Sequence, residues 1–272
     1  MGPKRATRME EALTPVGLLA AGANVVMQLS WPAVGYGVVE SSVDDGKVEL
    51  HPIKRFRTTT SYLAVAIMGT DKEREIFRVA VNKQHAQVRS GPESPVKYNA
   101  FSRELQLWVA ACLYKGAADV HELMYGKPDE AAAEAMYREA ARLGTTLQVP
   151  ADMWPADQAA FADYWKAGVD KIAIDDRVRK HLLGVAAGAA VGWPLNVLVR
   201  PANMFFCTGF LPPEFREQMR LEWNPRKQRR FDRLMRMFAF TNQYLPRKLR
   251  RFPFNYMLWD VRRRIATGRP LV

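Results

Sequence analysis

The sequence predicts an all-α protein, and three observations carry that prediction. Apolar residues recur at helical spacing along most of the chain, while the alternation of a half-buried strand is scarce. Segment after segment opens on Pro, Asp or Ser, residue types that start helices. The connections are short, the longest being VESSVDDGKVELHP (39–52) and RSGPESPVKYNA (89–100). No internal repeat, low-complexity linker or break in composition divides the 272 residues, so a single multi-helix domain over 1–272 is expected.

The first segment, LTPVGLLAAGANVVMQLSWPAVGYGVV (13–39), lacks charge for longer than a bilayer crossing requires. Pro15, Asn24, Gln28, Pro32 and several glycines interrupt it, so it reads as a kinked pair of core helices. HPIKRFRTTTSYLAVAIMG (51–69) is polar in its first half and apolar in its second. A helix over 71–90 carries Asp71 and Glu73 in its first turn, where carboxylates meet the positive end of the helix dipole. Ser102 suits an N-cap for 102–126. Pro128, Asp129 and Glu130 suit the start of 127–147 and Gly144 its end. The helix over 155–176 starts in the same way. LLGVAAGAAVGWPLNVLV (182–199) is Gly- and Ala-rich, broken by Pro194, and reads as buried helix. Three more helices, 212–223, 225–245 and 254–268, are each led by or near a proline.

Charge is unevenly placed. The formal net charge is +12, and residues 214–272 hold 16 Lys and Arg against 5 Asp and Glu. That stripe is suited to nucleic acid, anionic lipid or the carboxylates of a cofactor, or is simply a solvated face. Phe231, Phe238, Phe240 and Tyr244 lie within it at helical spacing and read as the core face of their helix. Cys112 and Cys207 are far apart in apolar surroundings, which favours two buried free thiols and a cytoplasmic location. With no C-x-x-C pair, zinc and iron–sulfur sites built on thiolates are excluded. The chain has no Gly-rich phosphate loop, no G-x-S-x-G elbow, no H-E-x-x-H and no recurring E-x-x-H of the di-iron bundles.

One residue stands out against that background. On a helix over 71–90, Phe77, Val81, His85 and Val88 share one stripe. An imidazole projecting from an apolar face is either a core histidine bonded to a backbone carbonyl or a ligand, such as the proximal ligand of a haem iron. Arg55 and Thr59, four residues apart and so on one helical face, would supply donors to the same cavity; alone, they would merely solvate a helix start. His51, His121 and His181 show no such pattern.

The combination QLSWPAVGYGVVESS…HPIKRFRTTTSYL…VNKQHAQVRSG…YNAFSRELQLWVAACL resembles the DUF2236 family, which includes the fungal oxygenases of mycophenolic acid biosynthesis and the latex-clearing rubber oxygenases. The matching positions are Gln28, Pro32 and Gly37; Arg55 and Thr59; His85, Val88 and Gly91; and Tyr98, Ala100, Leu107, Trp108 and Val109. TGFLPPEFREQMRLEW (208–223) and LPRKLRRFP (245–253) extend the likeness over nearly the whole chain. The resemblance implies an all-α fold enclosing a pocket for haem b, with His85 on the iron and Arg55 and Thr59 on the oxygen-binding side. Glu40 stands where the rubber oxygenases have a catalytic carboxylate. The implied reaction is O₂ activation and oxidation, with cleavage at a C=C bond, of a small hydrophobic isoprenoid-like substrate. Thr58 replaces a distal lysine of the rubber oxygenases, Trp31 replaces the histidine of a His-Pro pair in many relatives, and the spacing to Gly91 is loosened.

A reading from another class is a non-catalytic helical protein whose basic C-terminal region binds nucleic acid or an anionic membrane. A third joins the two: a haem enzyme, cytoplasmic and peripheral to a membrane, that docks through the basic stripe. Nucleic acid is the weaker expectation, because the aromatics of 225–245 are at core spacing.

Overall fold

Capping side chains set where most helices begin in the computed structural model, which describes residues 7–41, 51–188 and 195–272. Thr14 Oγ1 accepts from the Gly17 N–H at 3.2 Å and opens α1 (Pro15–Leu19). α2 (Ala21–Leu29) and α3 (Pro32–Val39) follow, so the uncharged first segment is three helical pieces rather than two. α4 (Pro52–Met68) is followed by α5 (Asp71–His85), which opens on a reciprocal cap. There Thr70 Oγ1 accepts from the Glu73 N–H at 3.2 Å while the Thr70 N–H donates to Glu73 Oε2 at 2.7 Å. Ser102 caps α6 (Arg103–Tyr125), Asp129 caps α7 (Glu130–Ala140), Asp157 caps α9 (Gln158–Val169) and Asp175 caps α10 (Asp176–Ala186). Between α7 and α9 lies the short α8 (Arg142–Thr145). The remainder is α11 (Leu195–Phe210), α12 (Pro213–Gln218), α13 (Pro225–Tyr244), α14 (Arg247–Arg250) and α15 (Phe254–Ala266). Every helix and strand assignment among the described residues is helical, and the protein is all-α.

Several boundaries differ from the sequence reading, each for a local reason. α5 stops at His85 rather than Ser90, because the following residues pair with 98–100 instead of extending the helix. α12 ends at Gln218, since Arg220 takes a positive φ of 55° that no helix accommodates. Gly144 is not a terminator but a contact: a Cβ there would lie 3.2 Å from Val149 and 3.3 Å from Ala110, so its small size lets α8 approach α6. Part of the 182–199 run lies outside the described residues, and Val197 and Leu198 at its end are exposed rather than buried. Cys112 and Cys207 are buried free thiols, as expected.

α6 is the axis of the core. Its length is apolar on more than one face, which is the pattern of a helix surrounded by others. Leu107, Ala110 and Tyr114 pack with α4, α7 and α15 residues such as Val65, Tyr137 and Val261. Trp108 and Cys112 pack with Val26, Val178 and Phe215, while Val120 and Met124 meet Phe231 and Met235 of α13. Trp108 is fully buried between Trp31, stacked at 4.7 Å, and Trp165, stacked at 5.3 Å. Trp31 is itself tied down by its Nε1–H, which donates to the Gly168 carbonyl at 2.9 Å. A Cβ at Gly168 would fall 2.3 Å from Trp108 Cζ3, and the stacked ring has nowhere to go. Gly168→Ala is therefore expected to lower stability by about 1–3 kcal/mol despite the better helix propensity of alanine. Thermal unfolding checks this, with Gly22→Ala as a control whose Cβ meets its nearest neighbour at an ordinary 3.5 Å and should cost nothing comparable.

Candidate functional site

α4 and α5 are joined at Gly69–Thr70 and pack together as a helical hairpin. A Cβ on Gly69 would lie 2.5 Å from the Val65 carbonyl oxygen, so the close corner requires glycine. Arg55 and His85 stand at nearly equal chain distances on either side of this corner, each about 20 Å along its helix. The hairpin thus brings the first turns of α4 level with the last turn of α5. Arg55 stands near enough for its charge to help lower the pKa of His85.

The end of α5 is held by two devices. The Ser90 N–H donates to the Tyr98 carbonyl and the Ala100 N–H to the Val88 carbonyl, each at 2.9 Å. That fold-back takes Val88 off the helical stripe on which the sequence places it. It also carries Phe101 to the His85 ring, edge-on at 6.3 Å. Behind the last turn, Gln148 Nε2 donates to Asn82 Oδ1 at 2.5 Å, and Gln106 Nε2 donates to Gln148 Oε1 at 2.6 Å and to the Ala100 carbonyl at 2.7 Å. These amides lock α5 and the 98–101 segment to α6. Sequence reasoning missed Asn82, Gln106 and Gln148, which lie on three separate elements with no shared motif.

The environment of His85 is unusual for a core histidine. Desolvation, reinforced by the Arg55 charge, lowers its pKa from the ordinary 6.5 to about 4, so the ring is neutral at physiological pH. The negative end of the α5 dipole would favour the cation, and it is outweighed. Nδ1 is buried and has no hydrogen-bond partner. The backbone-bonded alternative raised by the sequence is thus not the arrangement present.

Arg55 shows a second anomaly. Its surroundings are dense enough for desolvation to lower its pKa, yet its side chain is accessible to solvent. No described residue makes a hydrogen bond or ion pair with the guanidinium. In the run Thr58–Thr59–Thr60, the outer hydroxyls donate back to helix carbonyls, Thr58 to Arg55 at 3.1 Å and Thr60 to Phe56 at 2.7 Å. Thr59 makes no such bond to a described residue and is accessible on the Arg55 side of α4.

Glu40 lies elsewhere. At the C-terminal end of α3, its Oε1 accepts from Arg177 Nη1 at 2.9 Å and its Oε2 from the Tyr98 hydroxyl at 3.3 Å. The Arg177 guanidinium also covers the Tyr36 ring at 5.6 Å, and the Tyr36 hydroxyl donates to Asp175. Burial, then the Glu40 charge, pushes the Tyr98 hydroxyl above its usual range. Among the described residues Glu40 therefore meets the His85 region through the Tyr98 segment, and Arg177 is a partner that its position in the sequence gave no sign of.

Among the described residues no three His, Cys, Asp or Glu side chains form a set able to hold a metal ion. A porphyrin-borne metal needs only one axial protein donor, and His85 has the neutral ring and unpartnered nitrogen for that. Arg55, which pairs with no described residue, is the residue type that grips the carboxylates such a group carries. His85 and Arg55 are thus donor types that a haem would use.

Residues 11–240 match the family model described as ER-bound oxygenase mpaB/B′/Rubber oxygenase, catalytic domain. An uncharacterized protein of Mycobacterium bovis is 51% identical over 255 residues, covering 94% of this chain and 100% of that protein. An uncharacterized protein of Mycobacterium tuberculosis matches with the same identity and coverage. No solved structure matches.

Proposed function

The chain belongs to the mpaB/B′ and rubber oxygenase catalytic-domain family, and from that premise we propose that it is a haem b-dependent oxygenase acting with O₂ on a hydrophobic, isoprenoid-like substrate at a C=C bond. The observation that carries the proposal is a neutral His85 imidazole, its buried Nδ1 without a partner, near an Arg55 that pairs with no described residue. A guanidinium without a counter-charge among the described residues is suited to an anionic occupant. Haem would supply the redox chemistry of O₂. The chain supplies the rest.

His85 would hold the cofactor, its ring fixed by Phe101 and by the Asn82–Gln148–Gln106 amides. Arg55 would stabilise negative charge, either a cofactor carboxylate or charge that develops on the reacting oxygen, and Thr59 would offer a hydroxyl beside it. Glu40 enters as the anchor of the Tyr98 segment, since Arg177 and Tyr98 occupy its two oxygens. Phe101, half-turned to solvent beside the ring, would give the substrate an apolar wall.

The test is an absorption spectrum of the full chain purified from haem-supplemented cells, followed by titration with haem. A saturable Soret band distinct from free haem is the expected result. A protein that remains colourless after titration overturns the proposal.

A further inference from the structure

The elbow formed by α13, α14 and α15 has a second apolar surface, facing away from the core. On α13, Phe231 and Met235 are buried against α6 and α11, which is the ordinary single face of a surface helix. Phe240 and Tyr244, read from the sequence as part of that same face, instead point outward; Tyr244 is 73% exposed. Their rings meet each other at 5.1 Å. α15 repeats the arrangement. Its Phe254, Met257, Leu258 and Val261 are buried, while Tyr256 and Trp259, three apart on the helix, and Phe252 just before it are exposed. Tyr256 and Trp259 approach each other at 5.5 Å. Leu249, 55% exposed, stands at the tip between the two stripes. Single exposed apolar residues are common, but Phe240, Tyr244, Leu249, Phe252, Tyr256 and Trp259 exposed within one short stretch of chain mark an interaction surface.

Cations flank this surface. Arg233 and Arg236 continue the outward stripe of α13 towards its N-terminus, and Lys248 lies beside Leu249. None of the three forms an ion pair with a described carboxylate, whereas Arg247 and Arg251 are held by Glu10 at 3.1 and 2.6 Å.

We infer that the α13–α15 elbow docks on the surface of an anionic lipid bilayer. Tyr and Trp at the rim, aliphatic and Phe side chains at the tip and free cations behind them form the profile of an interfacial anchor. No described helix is long and apolar enough to cross a membrane, so the contact is with the interface. A second copy of the chain fits less well, because a two-fold contact would face this cationic surface with itself. Nucleic acid fits less well too, because the exposed aliphatic Leu245 and Leu249 interrupt the aromatic residues and are no platform for bases. The inference stands independently of the cofactor.

Flotation of the full chain with phosphatidylglycerol vesicles, with phosphatidylcholine vesicles, and with each at raised salt, tests it. The protein is expected to float with the anionic vesicles, to bind neutral ones at least about tenfold more weakly, and to be released by salt. Leu249→Glu with Phe252→Glu should weaken binding at least about tenfold with an unchanged thermal melt, both side chains being outside the core; Tyr244→Ser is the milder second variant, expected to act in the same direction. Absence of flotation, or flotation unaffected by either variant, overturns the inference. So does a concentration-dependent dimer that the double variant abolishes, or salt-sensitive binding to DNA without binding to vesicles.

Discussion

His85→Ala is expected to abolish the Soret band of the haem-loaded protein and to weaken haem binding at least about 100-fold, because removal of a mere outer partner of a metal ligand already costs about 10–100-fold. The fold should survive. His85 is the last residue of α5, its Nδ1 bonds nothing, and the helix end is held by Asn82 and by the 88–100 pairing rather than by the imidazole. A second readout separates the ligand from a packing residue. The folded His85 resists protonation down to about pH 4, whereas in the unfolded chain it titrates near 6.5. With the folded value depressed, the unfolded state takes up the proton first. The stability contribution is whole above pH 6.5 and is lost as pH falls towards 4. Cofactor-free wild type should thus lose more stability between pH 7 and pH 5 in urea unfolding than cofactor-free His85→Ala. A variant that binds haem with the wild-type spectrum and affinity would remove His85 from the site.

The fold was legible because helix starts are local events. Ser102, Asp129 and the Asp71–Glu73 turn needed no tertiary information to be recognised, and each stands at a helix start in the structure. Helix ends were less so. α5 gives way at His85 to a pairing with Tyr98 and Ala100 that lies outside any local window, and Arg220 leaves the helical region without a glycine to announce it. The outward Phe240 and Tyr244 were misassigned for a related reason: periodicity says that residues share a stripe, not which way the stripe faces. At the site, the i, i+4 relation of Arg55 and Thr59 was readable, as was the oddity of His85. The amides that fix them are contributed by α5, α6 and the 146–150 connection, and such a set becomes visible only when the chain is folded.

Arg55→Met should move cofactor affinity and stability in opposite directions. The guanidinium is a desolvated cation with no counter-charge among the described residues, so the cofactor-free fold bears a cost for it. Methionine keeps the length and much of the volume while removing the charge. Solvent reaches the exposed side chain and screens that cost, so the expected gain in cofactor-free stability is about 1 kcal/mol and not the several expected of a dry interior. Haem affinity should fall about 10–100-fold, the equivalent of one hydrogen bond to a charged group. Arg55→Lys keeps the charge but loses the planar fork, and should recover only part of that loss if the partner is a carboxylate gripped by two N–H groups. Haem titration and urea unfolding of the same three proteins provide the comparison. A structural role would show the reverse pattern, with stability falling in Arg55→Met while haem affinity holds, and that result would take Arg55 out of cofactor binding.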